Sequence, residues 1–214
     1  MKPLAGLILI LAMVTSAHAK SSYEKFPTPK KGGTFNDISI ANPMTLNIVL
    51  ATSADDIAIA GNFFMGLLGR DMESYEDLPA LAQKVEVSKD KKEYTYTLFK
   101  NAKWSDGTSV TSDDVEFTFN KIMDPKVDAA SMRSFYSGVS FQKIDAQKFK
   151  FIVAVPKFNS SSSLNTFIPI QKKQFENEAD FNKSKENLKP IGNGPYKLKA
   201  ISRDQFVTLE RDPN

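Results

Sequence analysis

The chain has 214 residues, of which 41% are hydrophobic and 25% charged, a balance typical of one or two folded domains and not of a disordered chain. It contains no cysteine and one histidine, so disulfides, thiolate metal sites and cysteine nucleophiles are excluded. The formal net charge is +3, and it falls to +2 if an N-terminal segment containing Lys2 is removed; this is too balanced for a surface that binds the phosphate backbone, and no nucleic-acid partner is expected.

The N-terminus has the three parts of a secretory signal peptide. Lys2 gives a positive start, residues 4–14 form an apolar run, and Ala17-His18-Ala19 is a small-x-small cleavage site. The run is shorter than the ~20 apolar residues that span a bilayer. We therefore expect residues 1–19 to be a signal peptide cleaved after Ala19, residues 20–31 to be a flexible lead-in, and the mature chain to be periplasmic without membrane insertion. Loss of His18 removes the imidazole of a Ser-His-Asp triad or metal site.

The first half of the mature chain predicts a strand, a helix and a hairpin. Apolar residues at 35, 38 and 40 favour a strand over residues 34–40. Asp55 or Asp56 can cap a helix running to Leu68, with Gly69 as its left-handed C-terminal cap. Alternation on both sides of the charged loop 88–92 predicts a hairpin that ends near Leu98.

The second half predicts a capped helix and two more hairpins. Thr111 and Asp114 have capping-box spacing, and the helix they start should end at Asp124-Pro125. A hairpin is expected over residues 139–155, and a last one after the glycine-rich stretch 190–195. Ser160–Ser163 predicts a loop or a helix start. The core should include five aromatic residues, Trp104, Phe117, Phe119, Phe149 and Phe151.

No motif in the chain supports catalysis. Asp113 and Asp114 would point about 100° apart on a helix, so they should serve capping and the helix dipole. Gly192-Asn193-Gly194 lacks the spacing and the Gly-Lys-Ser/Thr of a phosphate loop and is interpreted as the entry to a strand. The serine run 160–163 has no histidine to activate it. We expect no enzyme activity, no catalytic residue, no metal site and no cofactor.

Three blocks resemble the bacterial extracellular solute-binding proteins of family 5, the oligopeptide, dipeptide and nickel type. The most specific block runs from Phe99 to Phe119 and contains Trp104-Ser105-Asp106-Gly107-Thr108. The second joins residues 190–198 to Leu209–Asn214, and the family often has Thr where Asn193 stands. The third and weakest is Gly32–Phe35 with Thr45–Asn47 and Gly66–Leu68.

The resemblance implies a mixed α/β (α+β) fold of the type II periplasmic-binding-protein kind. Residues 30–48 and 187–214 would be discontinuous, incomplete segments of a first lobe, and residues 49–186 an inserted small second domain. Family members are usually more than twice this long, so the resemblance implies an N-terminal portion that lacks the opposite lobe. Such a half-shell should bind peptide weakly or not at all.

By the same resemblance, the protein is the substrate-binding component of an ABC importer. It would capture peptides or a related small solute and deliver them to a membrane permease with cytoplasmic ATPases. The segment after the first strand makes Asn42, Pro43 and Met44 candidate ligand contacts, and Met132 with Tyr136 is a weaker candidate pair. Trp104 and Asp106 are assigned to structure. The alternative is a stand-alone exported module that binds a protein surface and has no transport role.

Overall fold

The computed structural model describes residues 32–202 and 204–213; the predicted signal peptide (1–19) and lead-in (20–31) lie outside these residues. In chain order the elements are α1 Ala54–Ala60, β1 Leu68–Arg70, β2 Asp77–Pro79, β3 Ala82–Val87, β4 Glu93–Leu98, α2 Ser112–Met123, α3 Ala130–Phe135, β5 Val139–Lys143, β6 Lys148–Val153, α4 Ser160–Asn165, α5 Lys172–Phe175, a 3₁₀ helix Lys185–Leu188, β7 Tyr196–Ser202 and β8 Phe206–Arg211. None of the helices in the described ranges has the length and apolar character to cross a bilayer.

A four-stranded antiparallel sheet, in the order β3-β4-β6-β5, forms the centre of the fold. The two predicted hairpins over 85–98 and 139–155 are confirmed, and β4 pairs with β6 to join them. Alternate residues on β4 and β6 are buried, so that Tyr96 stacks on Phe149 at 5.5 Å between ring centroids. This alternation is what one buried face of a sheet requires.

Helix α2 covers the buried face of this sheet. Its capping box between Thr111 and Asp114 is present, and the helix ends at Asp124 as predicted. Phe119 lies 5.7 Å from Phe151, and Trp104 is 1% exposed, which confirms both as core residues. Phe117 was expected in the core but is only half-buried, with the Lys121 ammonium 5.3 Å from its ring.

The strand predicted over residues 34–40 is wrong. These residues have no strand partner in the described chain, and Phe35, Ile38 and Ile40 are 89%, 90% and 95% exposed. An isolated extended segment has no ladder hydrogen bonds and no neighbouring face on which to bury its side chains. Local alternation alone therefore did not form a strand here.

The long helix predicted from Asp55 or Asp56 to Leu68 is also wrong in its bounds. Ser53 is the cap, because its side chain accepts from the Asp56 N–H at 3.0 Å, and α1 ends at Ala60. Leu68 begins β1, and Gly69 pairs with Leu78 there and does not cap a helix. The predicted last hairpin is confirmed as β7–β8, and the serine run 160–163 begins α4.

Candidate functional site

The segment of chain that leads to the four-stranded sheet crosses the segment that returns from it, and two buried asparagines meet at this crossing. The Leu46 N–H donates to the Asn187 carbonyl at 2.7 Å, and Asn47 Nδ2 donates to Asn187 Oδ1 at 2.9 Å. Asn47 Oδ1 also accepts from the Val49 N–H at 3.0 Å, and Asn187 Nδ2 donates to the Phe181 carbonyl at 2.8 Å. We refer to the Asn47–Asn187 pair as the asparagine bridge. Both side chains are buried and satisfied, so the crossing is held in one register.

A second crossing brings residues 192–194 onto residues 62–65, and we refer to these two segments as the glycine clasp. The Gly194 N–H donates to the Phe63 carbonyl at 2.7 Å, and Asn193 Oδ1 accepts from the Met65 N–H at 2.7 Å. A Cβ on Gly192 would lie 2.0 Å from the Phe63 oxygen, and one on Gly194 would lie 2.7 Å from its carbonyl carbon. The clasp therefore requires glycine at both positions because two backbones touch.

The candidate contacts Asn42, Pro43 and Met44 lie on an exposed segment that is attached at three points. Ser39 Oγ donates to Asp55 Oδ1, and the Met44 N–H donates to Asp56 Oδ1 at 2.8 Å. Asn42 exchanges two hydrogen bonds with Asp204 in the β7–β8 turn. Pro43 is buried, whereas Asn42 is exposed and Met44 is 83% exposed. Two of the three side chains are therefore accessible on a positioned backbone.

The second candidate pair lies against the sheet. Tyr136 is 8% exposed, its ring meets Phe167 edge-on at 5.3 Å, and its hydroxyl donates to the Ser163 carbonyl at 3.4 Å. Burial raises the pKa of the Tyr136 phenol to about 12. Met132 is half-buried and packs against the same core. The structure gives Tyr136 a packing role, and a ligand contact by this pair stays a prediction.

The Trp104–Asp114 segment is held together by hydrogen bonds to the Asp114 carboxylate. Asp114 Oδ2 accepts from the Thr111 N–H at 2.9 Å and from Trp104 Nε1 at 3.3 Å, and Oδ1 accepts from the Lys172 N–H at 2.9 Å. Burial raises the pKa of the Asp114 carboxyl against the effect of these donors. Asp113 instead pairs with Lys143 on the surface, so the two neighbouring carboxylates do not converge. The capping role predicted for Asp114 is confirmed.

Sequence reasoning missed the residues that close these crossings. Asn47 and Asn187 are 140 positions apart, and Gln171 donates to Asp106 at 3.0 Å and to Thr108 at 2.9 Å from 65 and 63 positions away. Isolated amides carry no periodicity or motif, so no sequence signal could have paired them. Among the described residues, no group of three or more His, Asp or Glu could hold a metal ion.

The comparisons with known proteins decide the family. The model of the bacterial extracellular solute-binding proteins, family 5 Middle, matches residues 78–214. The chain belongs to this family. Among curated relatives, the dipeptide-binding protein DppE of Bacillus subtilis is 31% identical over 169 residues, which are 70% of this chain and 30% of DppE.

Solved structures of two binding proteins share the fold. The ABC transporter substrate-binding protein CtaP of Listeria monocytogenes matches with a TM-score of 0.73 and 30% identity, over 80% of this chain and 35% of CtaP. OppA of Haemophilus influenzae, solved with the peptide RPPGFSPFR, matches with a TM-score of 0.69 and 26% identity, over 81% of this chain and 37% of that protein. The mixed α/β fold is therefore of the type II periplasmic-binding-protein kind, as the sequence resemblance implied.

The chain spans about a third of the length of the curated relatives it matches. These relatives are named as peptide-binding proteins, and none of those compared above is named as an enzyme. The family is one of extracellular solute-binding proteins.

Proposed function

We propose that this chain is part of the substrate-binding component of an ABC importer and captures peptides, or a related small solute, in the periplasm. The observation that carries the proposal is the family match over residues 78–214, which includes the hydrogen-bonded Trp104–Asp114 segment. The partners would be a membrane permease and its cytoplasmic ATPases. Capture needs no reacting groups. The ligand would favour the closed state because that state binds it more tightly than the open state does.

The proposed domain organisation follows the two crossings. Residues 30–48 and 187–214 would belong to one lobe, and residues 49–186 would form an inserted domain. The asparagine bridge supports this boundary, because Asn47 and Asn187 lie within a residue or two of its two ends. The four-stranded sheet, all of it between Ala82 and Val153, would be the body of the inserted domain.

Ligand would lie along the exposed segment that carries Asn42, Pro43 and Met44. An extended peptide can be held through its backbone while its side chains enter less restrictive pockets. The attachment of this segment to Asp55, Asp56 and Asp204 supports such a role, because a pre-positioned wall loses little conformational entropy on binding. Cleavage of the signal peptide after Ala19 would deliver the chain to the periplasm.

Calorimetric titration with an equimolar set of di- to pentapeptides tests the proposal. The 214-residue polypeptide should bind weakly or not at all, because it spans about a third of its relatives' length and leaves any cleft open on one side. Micromolar binding by this polypeptide would contradict the half-shell interpretation. Sequencing past the Asn214 codon supplies the second arm: where the reading frame continues, the longer product should bind in the micromolar range.

Substitutions in the longer product locate the ligand. Asn42→Ala and Met44→Ala should lower peptide affinity, whereas Met72→Ala should not, although Met72 is 72% exposed on the β1–β2 turn. Equal effects of Met44→Ala and Met72→Ala would place the ligand elsewhere. A stop codon after Asn214, with a monodisperse folded product that binds none of the peptides, would favour the alternative of a stand-alone module that binds a protein surface.

A further inference from the structure

The glycine clasp contains a bond that is chemically labile outside a fold. Asn193 is followed by Gly194, and an asparagine before glycine is the dipeptide most prone to intramolecular deamidation, because no side chain shields the next amide nitrogen. We propose that Asn193 is a deamidation site controlled by the clasp. The reaction is suppressed while residues 192–194 pack on residues 62–65, and it proceeds as soon as the two segments separate.

The reaction needs one nucleophile, and the fold holds it. The Gly194 nitrogen must lose its proton to solvent base and attack Asn193 Cγ, forming an N–Cγ bond; Nδ2 then takes up a proton from water, the Cγ–Nδ2 bond breaks and ammonia leaves. Water then opens the resulting succinimide to aspartate or isoaspartate. In the structure the Gly194 N–H is bound to the Phe63 carbonyl at 2.7 Å, and Asn193 is 8% exposed. Solvent base therefore has little access to the proton that must leave first.

The electrophile, by contrast, is not protected by its own contacts. Asn193 Oδ1 accepts from the Met65 N–H at 2.7 Å, which draws electron density away from Cγ. Asn193 Nδ2, the leaving group, finds no acceptor among the described residues. Protection therefore depends on the Gly194–Phe63 hydrogen bond and on burial, so opening the clasp should release the reaction.

The product should be unable to close the clasp again. Isoaspartate inserts one extra methylene into the backbone between positions 193 and 194. The site has no space for it, since even a Cβ on Gly194 would lie 2.7 Å from the Phe63 carbonyl carbon and 2.9 Å from the Asn62 oxygen. One opening that lasts long enough for reaction would therefore convert a reversible excursion into a permanent defect.

The test compares deamidation in the folded chain with that in urea, at mildly alkaline pH. Peptide mass mapping and enzymatic methylation of isoaspartate give the rate at each asparagine. Modification at Asn193 should be at least about tenfold slower in the folded chain, because it requires local opening. Asn36, exposed and followed by exposed Asp37, is the internal control and should react at similar rates in both states. Asn193→Thr should remove the signal at this position alone.

Two results would overturn the proposal. One is an Asn193 rate in the folded chain equal to that in urea; the other is the absence of modification at Asn193 in urea. Refolding the urea-treated chain tests the loss of closure: the isoaspartyl fraction should remain protease-sensitive, while the unmodified fraction of the same sample regains resistance. Equal recovery of both fractions would refute the space argument drawn from Gly194.

Discussion

Asn47 and Asn187 share a buried hydrogen bond of 2.9 Å although 140 residues separate them. This contact joins the segment that leads from the N-terminal residues to the sheet with the segment that returns from the sheet. Each amide is also bonded to a neighbouring backbone group, so removing one side chain leaves polar groups of the other without partners. The first prediction follows from this arrangement.

Asn47→Ala should lower the free energy of unfolding by about 1–3 kcal/mol, because the Val49 N–H and Asn187 Oδ1 lose their buried partners. Urea denaturation followed by circular dichroism measures the change. Exposed Asn36→Ala is the matched control and should stay within about 0.5 kcal/mol of the parent. A double-mutant cycle with Asn187→Ala should show coupling, and strictly additive losses would mean that the bridge is not an energetic unit.

Gly192→Ala should prevent folding or cost more than about 3 kcal/mol, because its Cβ would lie 2.0 Å from a backbone oxygen that cannot move away freely. Gly107→Ala is the control. Its φ of +82° is unfavourable for alanine, but the surrounding space is open, so we expect a loss of about 1–2 kcal/mol. Thermal unfolding of the two variants distinguishes the cases, and equal losses would argue against the clasp.

The aromatic and turn residues show how much the sequence could predict. Tyr94 and Tyr96 alternate in β4, which pairs with β3, and Phe149 and Phe151 alternate in β6, which pairs with β5. Period-2 patterning therefore placed both hairpins correctly. The Thr111–Asp114 box, which is also local, fixed the start of α2. Local physics was sufficient for these elements.

The secondary structure predicted from the sequence was wrong where a contact outside the local segment decides the structure. Ile38 and Ile40 alternate like strand residues, but no strand lies beside them in the described chain. Gly69 suits a helix cap, yet pairing with Leu78 draws it into β1. The hydrogen bonds that position Asn42 also come from a distant residue, Asp204, 162 positions away, and the role of Asn42 as a ligand contact stays a prediction.

Tyr136 separates packing from ligand contact. Tyr136→Phe should change the free energy of unfolding by less than about 1 kcal/mol, since the ring is kept and the lost hydrogen bond is long at 3.4 Å. Tyr136→Ala should cost about 3–5 kcal/mol, because it leaves a cavity beside Phe167. Chemical denaturation checks both values. In the longer product, a loss of peptide affinity in Tyr136→Phe without loss of stability would instead support the predicted ligand role.

Asp114 should give stability a measurable pH dependence. Its pKa is raised in the folded chain by burial above its usual value near 3.8, so protonation favours the folded state. The contribution is fully present below the unfolded-state pKa and is lost as the pH rises through the folded pKa. The advantage of the parent over Asp114→Asn should therefore be larger near pH 4 than near pH 7, as measured by urea denaturation.

Asp114→Asn should be destabilising at both pH values. Its amide nitrogen cannot accept the hydrogen bonds that Asp114 receives from the Thr111, Lys172 and Trp104 donors at both carboxylate oxygens. Asp113→Asn, which alters a surface pair with Lys143, is the control and should change stability by less than about 1 kcal/mol. A flat difference profile for Asp114→Asn would contradict the raised pKa.

A polypeptide of residues 45–189 should fold by itself. Its ends meet at the 2.7 Å contact between the Leu46 N–H and the Asn187 carbonyl, and it contains the whole four-stranded sheet. Cooperative urea unfolding and dispersed amide resonances are the expected observations. Its stability should be below that of the parent, because it lacks the Gly192–Gly194 half of the clasp. A molten, non-cooperative product would argue against residues 49–186 as an inserted domain.

The 140-residue separation of Asn47 and Asn187 also delays the formation of the asparagine bridge during synthesis. A ribosome adds about 5–20 residues per second, so Asn47 emerges on the order of ten seconds before its partner exists. Through that interval the sheet can form from nearby strands, and residues 36–47 can make their contacts with Asp55 and Asp56. The buried contacts that Leu46 and Asn47 make with Asn187 therefore form only after residue 187 has been made.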